Sequence, residues 1–159
     1  MKIQEGYLYH IKDKYFDLIN DETLMQNHER GRARPTYFVI KENDILWFIP
    51  LSSKIEKYKN IMNKKIEKYG KCNTIILCNI MGVEHAVLLQ NAFPTLEKYI
   101  SHIHKIDGSP VKVITNLKKE IELKFNNMLI LKKRGINLFF TDIDKIKNFL
   151  LKELKKDNQ

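Results

Sequence analysis

The stretch that most limits what this chain can become runs from Arg32 to Tyr58, RARPTYFVIKENDILWFIPLSSKIEKY. Thr36 to Lys41 and Ile45 to Ile49 are rich in β-branched and aromatic residues, and Glu42-Asn43-Asp44 between them is a short polar turn. That is the pattern of a β-hairpin. Pro35 can open the first strand but not occupy a central one, because it has no N–H to donate to a ladder. Pro50 is expected to end the second strand. Leu51-Ser52-Ser53-Lys54 follows, and helical spacing begins at Ile55. A serine pair at a helix start has two readings. It caps the helix when a side-chain oxygen accepts a bond from a free backbone N–H. It also gathers free N–H groups, two hydroxyls and the Lys54 ammonium around one point, which suits a phosphate.

The other elements follow from periodicity. Gly6 to Ile11 reads as a strand, and Asp13 as the cap of a brief helix carrying Tyr15, Phe16 and Ile19. Asn20 to Ala33 has no periodicity and is expected to be a polar loop, functional or mobile. Ile55, Tyr58, Ile61, Met62, Ile66 and Tyr69 share one stripe of a helix that Gly70 ends. Thr74 to Ile80 reads as a buried strand, Met81-Gly82-Val83 as its turn and His85 to Gln90 as the return strand. Leu96 to His104 is expected to be a short helix and Val111 to Ile114 a short strand. Thr115 is expected to cap a long helix reaching Arg134, and Thr141-Asp142-Ile143-Asp144 to start a last one. Strands in hairpins with helices between them give an α+β class: one domain over residues 1–159, with a twisted, mostly antiparallel sheet and several peripheral helices.

The net charge of +9 favours a polyanionic partner, although the abundance of Lys, Ile and Asn is also what an AT-rich genome produces. Cys72 and Cys78 are too few and wrongly spaced for a zinc site or a disulfide framework. They are expected to be free thiols in a reducing cytoplasm. No signal peptide and no apolar run of membrane-spanning length is present, so no membrane association is expected. The chain has no GxSxG elbow, Walker loop, Rossmann glycine motif or HExxH, and no carboxylate cluster for a two-metal site. Neither a metal nor a small-molecule cofactor is expected.

The order Arg-Pro, aromatic strand, turn, and strand ending in Ile49-Pro50-Leu51-Ser52-Ser53-Lys54 resembles the type III toxin–antitoxin endoribonucleases of the ToxN/AbiQ family. The hallmark of that family is a strand running into Pro-Leu-Thr/Ser-Ser and a basic residue. Tyr9-His10-Ile11 and Lys14-Tyr15-Phe16 resemble its first strand and helix. The motifs cover the first third of the chain; beyond it the resemblance is one of element order and length. It implies a Kid/MazF-like barrel core and a sequence-preferring, metal-independent endoribonuclease toxin acting in phage defence. It further implies cleavage of single-stranded, A-rich RNA to 2′,3′-cyclic phosphate and 5′-hydroxyl ends. The implied partner is a structured antitoxin RNA repeat, processed by the toxin and held with it in a closed protein–RNA assembly. Two other readings stay open: a non-catalytic RNA-binding module, and a Kid/MazF-type toxin inhibited by a protein.

Metal-free RNA cleavage needs a base for the ribose 2′-hydroxyl, an acid for the leaving 5′-oxygen and donors to the phosphoryl oxygens. Ser52, Ser53 and Lys54 are candidates for the donors, with Lys57 one turn further on. Tyr37, on the first hairpin strand, offers a phenol; the resemblance implicates it together with the serine loop. Lys54 stands one place off the commonest family pattern, which leaves Lys54 and Lys57 as alternatives. Arg30, Arg32 and Arg34 alternate and on an extended segment would share a face that tracks an RNA backbone. His28 in the polar loop is a candidate acid, base or RNA contact, and Lys64 and Lys65 are candidate RNA contacts. His102 and His104, two apart on an expected helix, face away from each other and, like His85, receive no role. Trp47 is expected in the core.

Overall fold

The computed structural model describes residues 2–159. The chain runs β1 (Leu8–Ile11), α1 (Asp13–Ile19), β2 (His28–Glu29), β3 (Arg32–Ala33), β4 (Thr36–Glu42), β5 (Ile45–Ser52), α2 (Ile55–Tyr69), β6 (Ile76–Ile80) and β7 (Val83–Val87). It continues as β8 (Phe93–Thr95), β9 (Ile100–Ile103), β10 (Lys105–Ile106), β11 (Ser109–Pro110), α3 (Thr115–Lys133) and α4 (Ile143–Asp157). The expected hairpin is β4–β5, turning at Asn43 with φ of 54°. Asparagine tolerates this left-handed conformation better than most residues.

Seven strands form one antiparallel sheet in the order β6-β7-β5-β4-β1-β9, with β8 also paired to β5. The class is therefore α+β, as expected. All eight residues of β5 are buried, and the strand does not stop at Pro50. Leu46 to Phe48 pair with β8, whereas Leu51 and Ser52 pair with β7. Pro50 falls between these two partners, where the ladder asks for no N–H; its carbonyl still accepts from Leu88 N–H at 3.0 Å. The strand therefore carries Ser52 to the sheet's margin as part of the sheet, with Ser53 just beyond its end.

Other boundaries differ from expectation for identifiable reasons. Leu96–His104 is not a helix: one 3₁₀ turn at Glu97–Tyr99 leads into β9. All four residues of β1 are buried, so its backbone needs a partner on both edges; β4 supplies one and β9 the other. The stretch from Asn20 to Ala33 is not all loop, because β2 and β3 pair within it. Asp13 begins α1 but does not cap it; its carboxylate accepts from Asn27 Nδ2 at 2.9 Å.

The main core lies between the sheet and the last two helices. Leu117, Ile121, Phe125 and Met128 of α3 and Ile143, Ile146 and Leu150 of α4 are buried in it. Phe125 meets Trp47 of β5 at 5.8 Å between ring centroids, so Trp47 is a core residue as expected. Each such large side chain contributes about 1.5–3 kcal/mol through burial. A second, smaller cluster of Tyr58, Ile75, Ala86 and Leu88 seats α2. The apolar stripe of α2 is only partly used, since Ile66 and Tyr69 at its far end are exposed. No helix among the described residues is long and apolar enough to cross a membrane.

Candidate active site

The serine pair meets the capping reading only in part: Ser52 Oγ accepts from the N–H of Lys54 at 3.1 Å, one residue before α2 begins. The residue preceding the helix is Lys54, which makes no side-chain cap bond. Both hydroxyls turn to Glu29: Ser52 Oγ donates to Oε2 at 2.7 Å and Ser53 Oγ to Oε1 at 2.7 Å. Ser53 N–H donates to the same Oε1 at 2.9 Å. Arg34 Nη1 completes the set, donating to Oε2 at 2.8 Å. Burial alone would raise the Glu29 carboxyl, but these four donors outweigh it and bring its pKa down to about 2.

Local sequence explains how Glu29 reaches the serines. Arg30 and Gly31, with φ of 53° and 76°, form a two-residue turn that pairs Glu29 with Arg32. Asn27 fixes the base of this hairpin: its Nδ2 donates to Ile11 O at 2.9 Å, and its carbonyl accepts from Arg34 N–H at 2.6 Å. Arg34 is 6% exposed and binds Gln26 O at 3.0 Å and Leu51 O at 2.8 Å besides Glu29. It therefore fastens the hairpin to the end of β5.

Above this cluster lies a cavity of about 480 Å³, bordered by Glu29, Arg30, Arg32, Arg34, Ser52, Ser53, His85 and His104 among others. Arg30 and Arg32 are exposed on its wall. A second cavity shares Arg32, Ala33 and His104 with it and extends along His10, His102 and Lys105. His85 belongs to β7 and His104 follows β9 directly, with β5, β4 and β1 between them in the sheet. The sheet must therefore curl for both to border one cavity, as the expected barrel-like core requires.

The sequence-predicted residues separate into two groups. Ser52, Ser53, Arg30, Arg32 and Arg34 come together at the cavity, although Arg34 is consumed by structural bonds and Arg30 sits in a turn rather than on an extended row. Lys54 and Lys57 are exposed at the start of α2 and do not border the cavity. Tyr37 is displaced from the set. It is fully buried, its hydroxyl has no hydrogen-bond partner among the described residues, and the charges acting on it are those of Glu122 and Glu5, away from the serines. His28 lies on the opposite side of β2 from Glu29, with Nε2 at 2.7 Å from Asp13 Oδ1. Lys64 is exposed on α2, whereas Lys65 is tied down, donating to Thr74 Oγ1 and Gln90 Oε1 at 2.8 Å each.

Four residues at the site carry no sequence expectation: Glu29, His85, His104 and His10. His10 Nε2 and His104 Nδ1 are 2.7 Å apart, and His10 stacks on His102 with ring centroids at 4.8 Å. In Ile100-Ser101-His102-Ile103-His104 the two apolar residues stand three apart, so no alternation marks the segment as a strand. Read as a strand, that segment places His102 and His104 on one side, where a helical reading separates them.

No protein-family model matches the sequence, and no curated protein matches it. Among solved structures the chain is similar to AbiQ, a lactococcal anti-phage endoribonuclease belonging to the type III toxin–antitoxin system. The two superpose with a TM-score of 0.73 at 16% identity, over 96% of this chain and 99% of that one. The resemblance to the ToxN/AbiQ family carried by the β4–β5 hairpin is thus met by the architecture of nearly the whole molecule: this chain has the fold of AbiQ.

Proposed function

We propose that this protein is a metal-independent endoribonuclease toxin of a type III toxin–antitoxin system. The observation that supports it most is the cavity, where two exposed guanidinium groups, a serine loop and two imidazoles border one space. A phosphodiester bound there meets Arg30 and Arg32 as charged donors. Ser53 is exposed at the rim, and its hydroxyl can exchange Glu29 for a phosphoryl oxygen while its N–H keeps the carboxylate in place. Those donors stabilise the charge that develops on phosphorus as the ribose 2′-oxygen attacks. The products are a 2′,3′-cyclic phosphate and a 5′-hydroxyl. Lys54 and Lys57, at the start of α2, extend the positive surface toward the flanking phosphates of a single-stranded, A-rich substrate. Lys64 does the same farther along that helix, and Lys65 supports it by holding α2 to Thr74 and Gln90.

The partner in this reading is a structured antitoxin RNA, cut from a repeat precursor by the toxin and retained as product in the cavity. One RNA touching two protein copies head to tail closes into a ring when the rotation permits. The net charge of +9 supports such a polyanionic partner. The deciding experiment is cleavage of single-stranded RNA in EDTA with mapping of the product ends. Cyclic phosphate and 5′-hydroxyl ends are expected; 5′-phosphate ends, a need for magnesium, or binding without cleavage would overturn the proposal.

A further inference from the structure

Transesterification of RNA needs a group to take the 2′-hydroxyl proton and another to protonate the departing 5′-oxygen. The serine loop supplies neither, since both hydroxyls donate to a carboxylate. Lys54 and Lys57 stand outside the cavity, and Tyr37 is buried away from it. The cavity wall does hold two half-buried imidazoles, His85 and His104, brought to one space by the curl of the sheet.

We propose that His104 is the general base and His85 the general acid of this site, and that buried His10 is a positioning residue that fixes the tautomer of His104. The inference rests on the ribonuclease reading above.

Its geometric support is the 2.7 Å contact between His10 Nε2 and His104 Nδ1, which must carry one proton between two nitrogens. Such a contact leaves no room for an ion between the rings. Burial, then His104 and His102, bring His10 down to about 4, so its ring is neutral; its Nδ1 is buried without a direct hydrogen bond, and the main-chain carbonyl of Arg34 is the one influence that favours a proton on the ring. A proton kept on that Nδ1 leaves His10 Nε2 as the acceptor, so His104 donates through Nδ1. The Nε2 lone pair of His104 is then free for the cavity. This is the logic by which a buried partner orients a catalytic imidazole.

The surroundings separate the two roles. Burial, then the neighbouring His85 and His102, hold His104 below the ordinary imidazole value, which keeps it neutral and able to accept. Burial also lowers His85, but the Glu29 carboxylate works against that shift. The net direction for His85 is still downward, so it serves as acid through the protonated fraction that Glu29, the one carboxylate among the described residues bordering the cavity, favours. Arg30, Arg32, Arg34 and Lys105 are the remaining charges around the two cavities.

In the step, His104 Nε2 takes the 2′-hydroxyl proton as the 2′-oxygen bonds to phosphorus. The bond from phosphorus to the 5′-oxygen breaks, and that oxygen takes the proton of the His85 imidazolium. The cyclic phosphate and the 5′-hydroxyl leave, and exchange with water resets both rings.

The test compares ordinary RNA with an RNA whose scissile 5′-bridging oxygen is sulfur, a leaving group that needs no protonation. His85→Ala should lose about 10²–10⁴-fold in kcat on ordinary RNA yet remain within a few-fold of wild type on the sulfur substrate. His104→Ala should be impaired on both. His10→Phe should lower kcat with little change in KM and shift the acidic limb of the pH–rate profile, with partial rescue by His10→Gln. Should either alanine variant melt early, His85→Gln and His104→Gln answer the same question in a folded protein. Wild-type RNA cleavage combined with variants within three-fold of it would overturn the assignment alone. Equal impairment of His85→Ala on both substrates would remove His85 as the acid. A wild-type protein that leaves both substrates intact would overturn the ribonuclease reading itself.

Discussion

Oε1 of Glu29 accepts two hydrogen bonds from Ser53, one from its main-chain N–H at 2.9 Å and one from its hydroxyl at 2.7 Å. The serine loop, a phosphate cradle by its composition, thus already binds an anion supplied by the chain. That carboxylate locks the end of β5 to the β2–β3 hairpin and leaves Arg30 and Arg32 as the exposed cations of the cavity.

Acid should therefore loosen the site first. The folded Glu29 value of about 2 lies below its ordinary 4.5, so its stabilisation is complete above about pH 4.5 and is lost as pH falls toward 2. Glu29→Gln should flatten the acid limb of the stability curve in that window and lower the melting temperature at pH 7. Parallel acid limbs for variant and wild type in urea titrations would contradict this account.

Ser53→Ala should cost about 0.5–1.5 kcal/mol of stability, the usual worth of one hydrogen bond. Its effect on cleavage should be far larger, about 10²–10³-fold, because the exposed hydroxyl at the cavity is lost. Measuring melting temperature and single-turnover rate on the same preparation separates the two. A full rate with reduced stability would leave Ser53 a purely structural role.

The two arginines of β3 and the residues after it should behave in opposite ways. Arg34→Lys replaces a fork bound to Glu29, Leu51 and Gln26 with a point charge, and should cost about 1–3 kcal/mol through buried acceptors left unpaired. Arg32→Ala should leave the melting temperature nearly unchanged but reduce the salt dependence of RNA binding by about one phosphate contact. Equal thermal losses in both variants would refute this division.

Tyr37→Phe should keep activity and hold or raise stability by up to about 1 kcal/mol, because the deleted hydroxyl is buried without a partner. Burial pushes its pKa well up, so no proton leaves it in the working range. A variant that folds but fails to cut RNA would return Tyr37 to the chemistry.

Much of this was legible in the residues. β-Branched and aromatic composition around the Glu42-Asn43-Asp44 turn gave the β4–β5 hairpin, and a helix from Thr115 to Arg134 was expected where α3 stands. What was not legible depended on long-range pairing. Nothing near Leu96–His104 says that the buried strand β1 lacks a neighbour, so the segment reads as a helix and its histidines fall on different faces. Glu29 stands among polar residues without periodicity, and only the pairing across Arg30-Gly31 aims it at the serines. Tyr37 lies in the core and not at the cavity for a related reason: a strand limits a side chain to two faces, but the sheet's packing decides which of them is core.

The contact between His10 and His104 joins residues 94 positions apart. The serine loop and the arginine hairpin are local in the chain and can form early, whereas the histidine wall needs β9 to dock on β1, a slow, non-local closure. During translation, the loop emerges from the ribosome well before the strand that completes the cavity. Nascent chains arrested after Leu96 are accordingly expected to leave RNA intact, and arrested chains that carry the whole sequence to cut it. On the ribonuclease reading proposed above, the order of synthesis keeps the site incomplete until β9 has emerged.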